Sequence, residues 1–137
     1  MSITTYASFV AAIAALDIDT IQRTYTYPPE ALNTADLPAS WVQLPVGDEP
    51  RMTLGFEGGW PTFRVQHVVA VEAVAQDRQK ENFTTTVAMM DKISDALRAL
   101  GPLDVCRGGI WWGMKVAVTT VAGIDYWAVA TDIEGRG

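Results

Sequence analysis

The residues that could take part in catalysis are few and stand apart in the sequence. His67 is the single histidine, and it alternates with valines in VQHVVAV without a nucleophile or carboxylate placed to pair with it. Cys106 is the single cysteine, so a thiolate metal site lacks further ligands and no internal disulfide can form. We predict that His67 is structural and that Cys106 packs as a small apolar side chain.

Two other patterns match ion or phosphate sites only in part. Asp17 and Asp19 have the spacing that opens a calcium loop, but the later ligands and the glycine do not follow, which favours a capping or turn role. Gly55, Gly58 and Gly59 follow a predicted strand and precede no helix, so they do not form a phosphate cradle. The residues therefore predict no enzyme, no metal and no cofactor.

The charge balance excludes one class of partner. Sixteen acidic and ten basic residues give a net charge of −6, and no basic run is longer than Arg78-Gln79-Lys80. Proteins that bind nucleic acid neutralise phosphates with clustered Lys and Arg, so we expect no sequence-specific nucleic-acid binding. The apolar run Phe9–Leu16 is too short to cross a bilayer. We expect a soluble protein made in the cytosol.

Apolar spacing of three and four residues predicts two helices. The first begins at a cap on Thr4 or Thr5 and ends near Leu16. The second begins at Asn82 or Thr84 and ends at Leu100, because Gly101-Pro102 cannot continue it. A length of 137 residues, with 49% apolar residues, fits one domain over residues 1–137.

Alternation and β-branched residues predict five strands. They are Thr20–Tyr27, Arg51–Glu57, Thr62–Ala75, Ile110–Val121 and Ile124–Ile133. The order is α-β-β-β-α-β-β, an α+β domain with a mixed, mainly antiparallel sheet of four or five strands. Two helices can cover only one side of such a sheet, so its other side must meet water or a partner.

A proline-rich segment, YPPEALNTADLPASWVQLP, joins the first two predicted strands. It holds four of the seven prolines, with apolar residues between them. Proline removes amide donors, so we predict that residues 28–50, the strap, form neither a helix nor a central strand. The strap is either a loop on its own domain or a stiff arm that meets another protein.

Tryptophan supplies the candidate contact residues, because exposed Trp often anchors an interface. Trp111 and Trp112 are adjacent on a strand, so their side chains point to opposite faces and one must face the uncovered side. Trp127 is expected in the core. The predicted interface residues are Leu37, Pro38, Trp41, Trp60, Pro61, Arg78, Trp111 and Trp112.

With these elements, the sequence resembles the tail terminator (tail completion, or minor tail) proteins of long-tailed bacteriophages of the lambda type. The chain length and the element order match that family. The extended segment carries Tyr27-Pro28-Pro29 and Leu37-Pro38, a long hairpin precedes the second helix, and a closing hairpin ends the chain. The resemblance covers nearly the whole sequence through its architecture and a few short strings.

The resemblance implies a structural virion protein at the tail–neck junction. Six copies would form a ring that caps the tail tube and joins it to the head–neck connector. DNA would pass through the lumen without sequence-specific binding, and an acidic lining would repel it. The family has no catalytic residues. A cyclic ring needs two different contact patches on each subunit, which the uncovered sheet face, the Trp60 hairpin and the strap could supply.

Other classes also fit the sequence. One is another neck, head-closure or tail-tube subunit; a tube subunit would stack into filaments. A second is a small α+β enzyme or ligand-binding domain, for which His67, Tyr126 and scattered carboxylates are the available polar groups. A third is a dimeric α+β regulator that closes two sheets face to face.

Overall fold

The computed structural model describes residues 5–25, 27–44, 62–74, 79–100 and 109–136, which contain two α-helices, one short 3₁₀ helix (Thr34–Asp36) and five strands. The helices are α1 (Tyr6–Ala14) and α2 (Gln79–Leu100). The strands are β1 (Arg23–Thr24), β2 (Ala39–Gln43), β3 (Thr62–Ala73), β4 (Gly109–Val121) and β5 (Ile124–Arg136). The predicted α+β class is confirmed.

The strands form one sheet in the order β1-β2-β3-β5-β4. β1 runs parallel to β2, and the other three pairs are antiparallel. Ala122 and Gly123 connect β4 to β5 with φ angles of 53° and 79°. Two successive positive φ angles define the tight hairpin turn whose twist matches that of the flanking strands.

Both helices pack on one face of the sheet, the helix face. Phe9 and Ile13 of α1 and Met89, Ile93 and Leu97 of α2 are buried there, against a row of β-branched residues. The buried strand residues of this core are Val42, Phe63, Val65, Val69, Val71, Val129 and Ile133. This confirms the prediction that both helices cover the same side.

Local contacts explain where α1 begins and how it is held. The Thr5 hydroxyl accepts a hydrogen bond from the Ser8 amide, which satisfies one of the unpaired donors at the helix start. The Tyr6 hydroxyl accepts a hydrogen bond from the Arg64 amide at 2.8 Å and donates one to the Arg64 carbonyl at 3.1 Å. Phe9 stacks on Phe63 with ring centres 5.3 Å apart. These contacts fix α1 over β3.

The strap departs from its prediction. Ala39–Gln43 forms β2, which pairs with β1 on one side and β3 on the other, so the prediction that the strap holds no internal strand is wrong. Pro38 precedes this strand and no proline lies within it, so all of its amides remain available. The predicted strand Thr20–Tyr27 is only Arg23–Thr24, and the predicted strand Arg51–Glu57 lies outside the described residues.

The residues before β2 cover part of the second face of the sheet, the strap face. Tyr25, Leu32 and Leu37 pack against a small second core around Trp41 and Tyr126. The remaining buried members of this core are Val68, Ala70, Val121 and Ala128. The described part of the strap therefore lies on its own sheet and covers one half of that face. Among the described residues, no helix is long and apolar enough to cross a membrane.

Candidate protein-interaction surface

The other half of the strap face carries no covering element among the described residues. Cross-strand register places Gln66, Asp132 and Gly113 in one row, and Arg64, Glu134 and Trp111 in the next. Alternation puts these side chains opposite the helices. We call this surface the open face, and it consists of Arg64, Gln66, Trp111, Gly113, Lys115, Asp132 and Glu134.

A chain of side-chain hydrogen bonds marks the border between the covered and open halves. The Trp41 indole donates to Gln43 at 3.1 Å, the Gln43 amide donates to Gln66 at 2.6 Å, and the Gln66 amide donates to Asp132 at 3.1 Å. Each glutamine both accepts and donates, so its orientation is determined. The row joins the buried apolar core to an exposed carboxylate and fixes the polar groups of the open face.

Trp111 is the large aromatic side chain of the open face and is 50% exposed. The guanidinium of Arg136 lies 5.1 Å from its ring centre, a cation–π contact. A Cβ on Gly109 would stand 3.4 Å from the indole, and Gly109 has a φ of 104°, so glycine suits both the backbone and the ring position. The indole is thus held in place while half of its surface remains available.

Beside Trp111 lies a shallow cleft of about 240 Å³. Arg64, Asp132 and Glu134 contribute charged groups to it, and Gly113 leaves open space because no atom lies within 4 Å of its Cβ position. An aromatic group surrounded by charges of both signs is the composition of a protein interface, with an apolar centre and a polar rim. The arrangement suits a protein surface better than a small apolar ligand, which needs an enclosed pocket.

His67 lies on the helix face, on the far side of the sheet from Trp111. Burial lowers the pKa of His67 from 6.5 to about 4, because the charged form loses its hydration. The imidazole is therefore neutral at physiological pH. Among the described residues, Nδ1 of His67 has no hydrogen-bond partner, and no group of three His, Cys, Asp or Glu residues could hold a metal ion.

The structure separates the predicted interface residues into three groups. Trp111 is exposed on the open face, while Trp112 points to the helix face and packs against the main core. Trp41 is only 3% exposed and packs in the second core together with the half-buried Leu37, and Pro38 is half-buried. The predicted interface residues Trp60, Pro61 and Arg78, and the predicted apolar Cys106, lie outside the described residues.

Several open-face residues were not among the interface residues predicted from the sequence. Arg64 and Gln66 alternate on the polar face of the predicted β3, but Asp132 and Glu134 flank Ile133, the predicted end of β5. Their signal was the polar residue at every second position, which continues from Asp132 through Glu134 to Arg136. Trp127, predicted as core, is half-buried on the helix face.

These features define the class of fold: an α+β domain whose five-stranded mixed sheet is covered by helices on one face and by a strap on half of the other. No protein-family model matches the chain. No curated protein matches it in sequence.

Proposed function

We propose that the chain is a structural virion protein of a long-tailed bacteriophage, a tail terminator that forms a ring, caps the tail tube and joins it to the head–neck connector. The main observation in support of this proposal is that Trp111 is half-exposed on the open face, among Arg64, Asp132 and Glu134. Its partners are further copies of the chain, the tube subunit and the connector. DNA passes through the lumen.

The order of elements supports the proposal. The structure has the α-β-β-β-α-β-β order that the resemblance implies, although β2 comes from the strap. A cyclic ring joins two different patches on neighbouring subunits. The open face supplies one of these patches, because it offers an ordered aromatic group with a charged rim. Such aromatic groups contribute a large share of the binding energy at many interfaces.

The net charge also supports a protein through which DNA slides. Six copies of a chain with a net charge of −6 create a negative field around any central channel. DNA would then be repelled from the wall and would not bind to it. In basic rings, salt screens the attraction to DNA and lowers DNA retention. In this ring, salt would screen a repulsion, so we expect that DNA retention does not fall as the salt concentration rises.

The direct experiment is a tube-capping assay. Purified tail-tube subunits are polymerised with and without the chain, and tube lengths and ends are measured by negative-stain electron microscopy. We expect short tubes that end in an extra ring of the chain. Filaments made of the chain itself would indicate a tube subunit. Tubes of unchanged length without an end ring would overturn the proposal.

A further inference from the structure

The outer edge of β4 offers unpaired backbone groups. β4 is the last strand of the sheet, and no described residue outside β5 makes a backbone hydrogen bond to it. The tight turn makes Val121 and Ile124 a hydrogen-bonded pair, so the odd-numbered residues of β4 bond to β5. The even-numbered residues from Trp112 to Thr120 therefore direct their N–H and C=O groups outward.

The side chains of these even-numbered residues lie on the helix face, where α2 does not cover them fully. α2 lies mainly over β3 and β5, and α1 over β2 and β3. Met114 reaches the core, but Val116 and Val118 remain 46% and 50% exposed. Among the residues that the structure describes, none therefore pairs with the outer edge of this stretch of β4 or fully covers its apolar side chains.

One flank of α2 extends this apolar surface. Lys92 donates a hydrogen bond to Thr20, which follows α1, so that flank of α2 faces the α1 side of the sheet. On the helical wheel, Phe83 and Val87 lie on the opposite flank, toward β4. Phe83 is 72% exposed and Val87 is 41% exposed. We call Phe83, Val87, Val116 and Val118, with the outer edge of β4, the β4 patch.

We propose that a second copy of this chain covers the β4 patch, with the two β4 strands paired antiparallel about a two-fold axis. The unpaired edge requires an extended strand as its partner, and a second β4 presents the same edge with the same 13 residues. Antiparallel pairing of one strand with its own copy satisfies the outward groups on both sides at once.

The charges of β4 favour a copy of the same chain as the occupant. Two chains with a net charge of −6 repel each other, and they approach best where carboxylates are absent. β4 carries no carboxylate, and Lys115 is its single charged residue. A register that sets Val116 opposite Val118 of the second copy sets Lys115 opposite Thr119, so the two lysines do not meet directly.

The edge also lacks the features that usually prevent edge pairing. β4 has no proline, is long, and has its charged side chain on the strap face instead of among the exposed valines. The opposite edge of the sheet, β1, has only two residues. The β4 contact would bury on the order of 1,000 Å² in total, the lower range for a specific interface, so we expect a dimer that dissociates on dilution.

This proposal does not rest on the terminator function. The two-fold contact uses the β4 edge and the helix face, whereas the ring contact uses the open face on the other side of the sheet. A chain that dimerises but never joins a tube would refute only the terminator proposal. A chain that caps tubes but stays monomeric in solution would refute only the dimer.

Sedimentation velocity of the full chain across a concentration series tests the dimer. We expect a species of twice the 14.9 kDa monomer mass that dissociates on dilution. Val116→Lys places a charge in the patch and should weaken dimerisation at least tenfold. Leu44→Lys is the matched control, because Leu44 is an exposed apolar residue just after β2, and it should leave dimerisation unchanged.

Val118→Pro provides a second variant that acts on the backbone. Its amide points outward, so proline should remove a donor to the second copy and keep the β4–β5 hydrogen bonds. We expect monomers that retain the wild-type circular dichroism spectrum. A wild-type chain that is monomeric at every concentration overturns the proposal. This holds also if hydrogen exchange shows that the even-numbered β4 amides are protected in the monomer, because another part of the chain would then cover the edge. A dimer that persists in both variants also overturns it.

Discussion

At Trp111, the indole has little freedom because Arg136 lies over its ring and Gly109 lies close to it. An aromatic group that is already ordered loses little entropy when a partner covers it, so it can contribute strongly to binding. Trp111 can contribute to binding in this way only on the open face, where its indole lies. Trp112, the next residue, contributes instead to the core on the other side of the sheet.

We predict that Trp111→Ala weakens assembly onto tail tubes by about 2 kcal/mol, roughly thirtyfold, with the fold retained. Tyr27→Ala is the control, since Tyr27 is also an exposed aromatic residue but is not part of the open face. Titration of tubes with labelled chain measures the binding constant. Equal binding by the wild type and Trp111→Ala would remove Trp111 from the interface.

The lowered pKa of the buried His67 predicts how the free energy of unfolding changes with pH. The folded state lowers the pKa of His67 from 6.5 to about 4, so the unfolded chain binds the proton more readily between these values. The stability associated with neutral His67 is therefore fully present above pH 6.5 and is lost as pH falls toward 4. The loss is about 3 kcal/mol. Urea unfolding at several pH values measures it.

His67→Leu provides the comparison for this measurement, because it removes the titrating group and keeps a similar volume. Carboxylates titrate in the same range in both proteins, so the difference between the two curves isolates the histidine. We expect the variant to lose less stability between pH 6.5 and pH 4. Parallel curves would show that His67 is not protonated more readily in the unfolded chain.

At the scale of elements, the hairpin of β4 and β5 contains one unfavourable backbone conformation. Ala122 has a φ of 53°, a region that asparagine and glycine adopt more easily than alanine. Ala122→Asn creates the Asn-Gly pair that this turn prefers. We predict a gain of about 1 kcal/mol in the free energy of unfolding by urea, whereas Ala31→Asn in an exposed loop should change it little. A loss of stability in Ala122→Asn would contradict the turn assignment.

The sequence predicted the long elements well because each has one periodic apolar face. β3, β4, β5 and α2 lie within a few residues of their predicted ranges, except that β5 continues to Arg136. The strand β2 was missed because its first four residues, ASWV, are buried on both faces and show no alternation. Its pairing with β1 and β3 is non-local, and nearby prolines indicated a loop.

The same reasoning explains which part of the candidate site was predictable. Adjacent Trp111 and Trp112 had to point to opposite faces, and the structure places them so. The burial of Trp41 could not be read from the sequence, because it depends on Tyr126 from a distant strand and on Leu32 and Leu37, which fold back onto the same core. An exposed aromatic residue and a buried one have the same local sequence signal.

At the scale of the whole molecule, the sheet has two regions that no described residue covers. The open face lies on the strap side and carries charged groups around Trp111, whereas the β4 patch lies at one edge and is apolar. The open face is assigned to the ring contact and the β4 patch to the two-fold contact, so the two proposed contacts use different surfaces. The net negative charge would keep free chains apart except at these surfaces.

Light scattering of the purified chain, alone and with tail tubes, tests the central claim that this domain assembles as a ring on a tube. The account predicts that tubes gain a mass equal to six copies of the 14.9 kDa chain at the capped end, and that Trp111→Ala reduces this gain. A chain that remains free in the presence of tubes at every concentration would contradict the account.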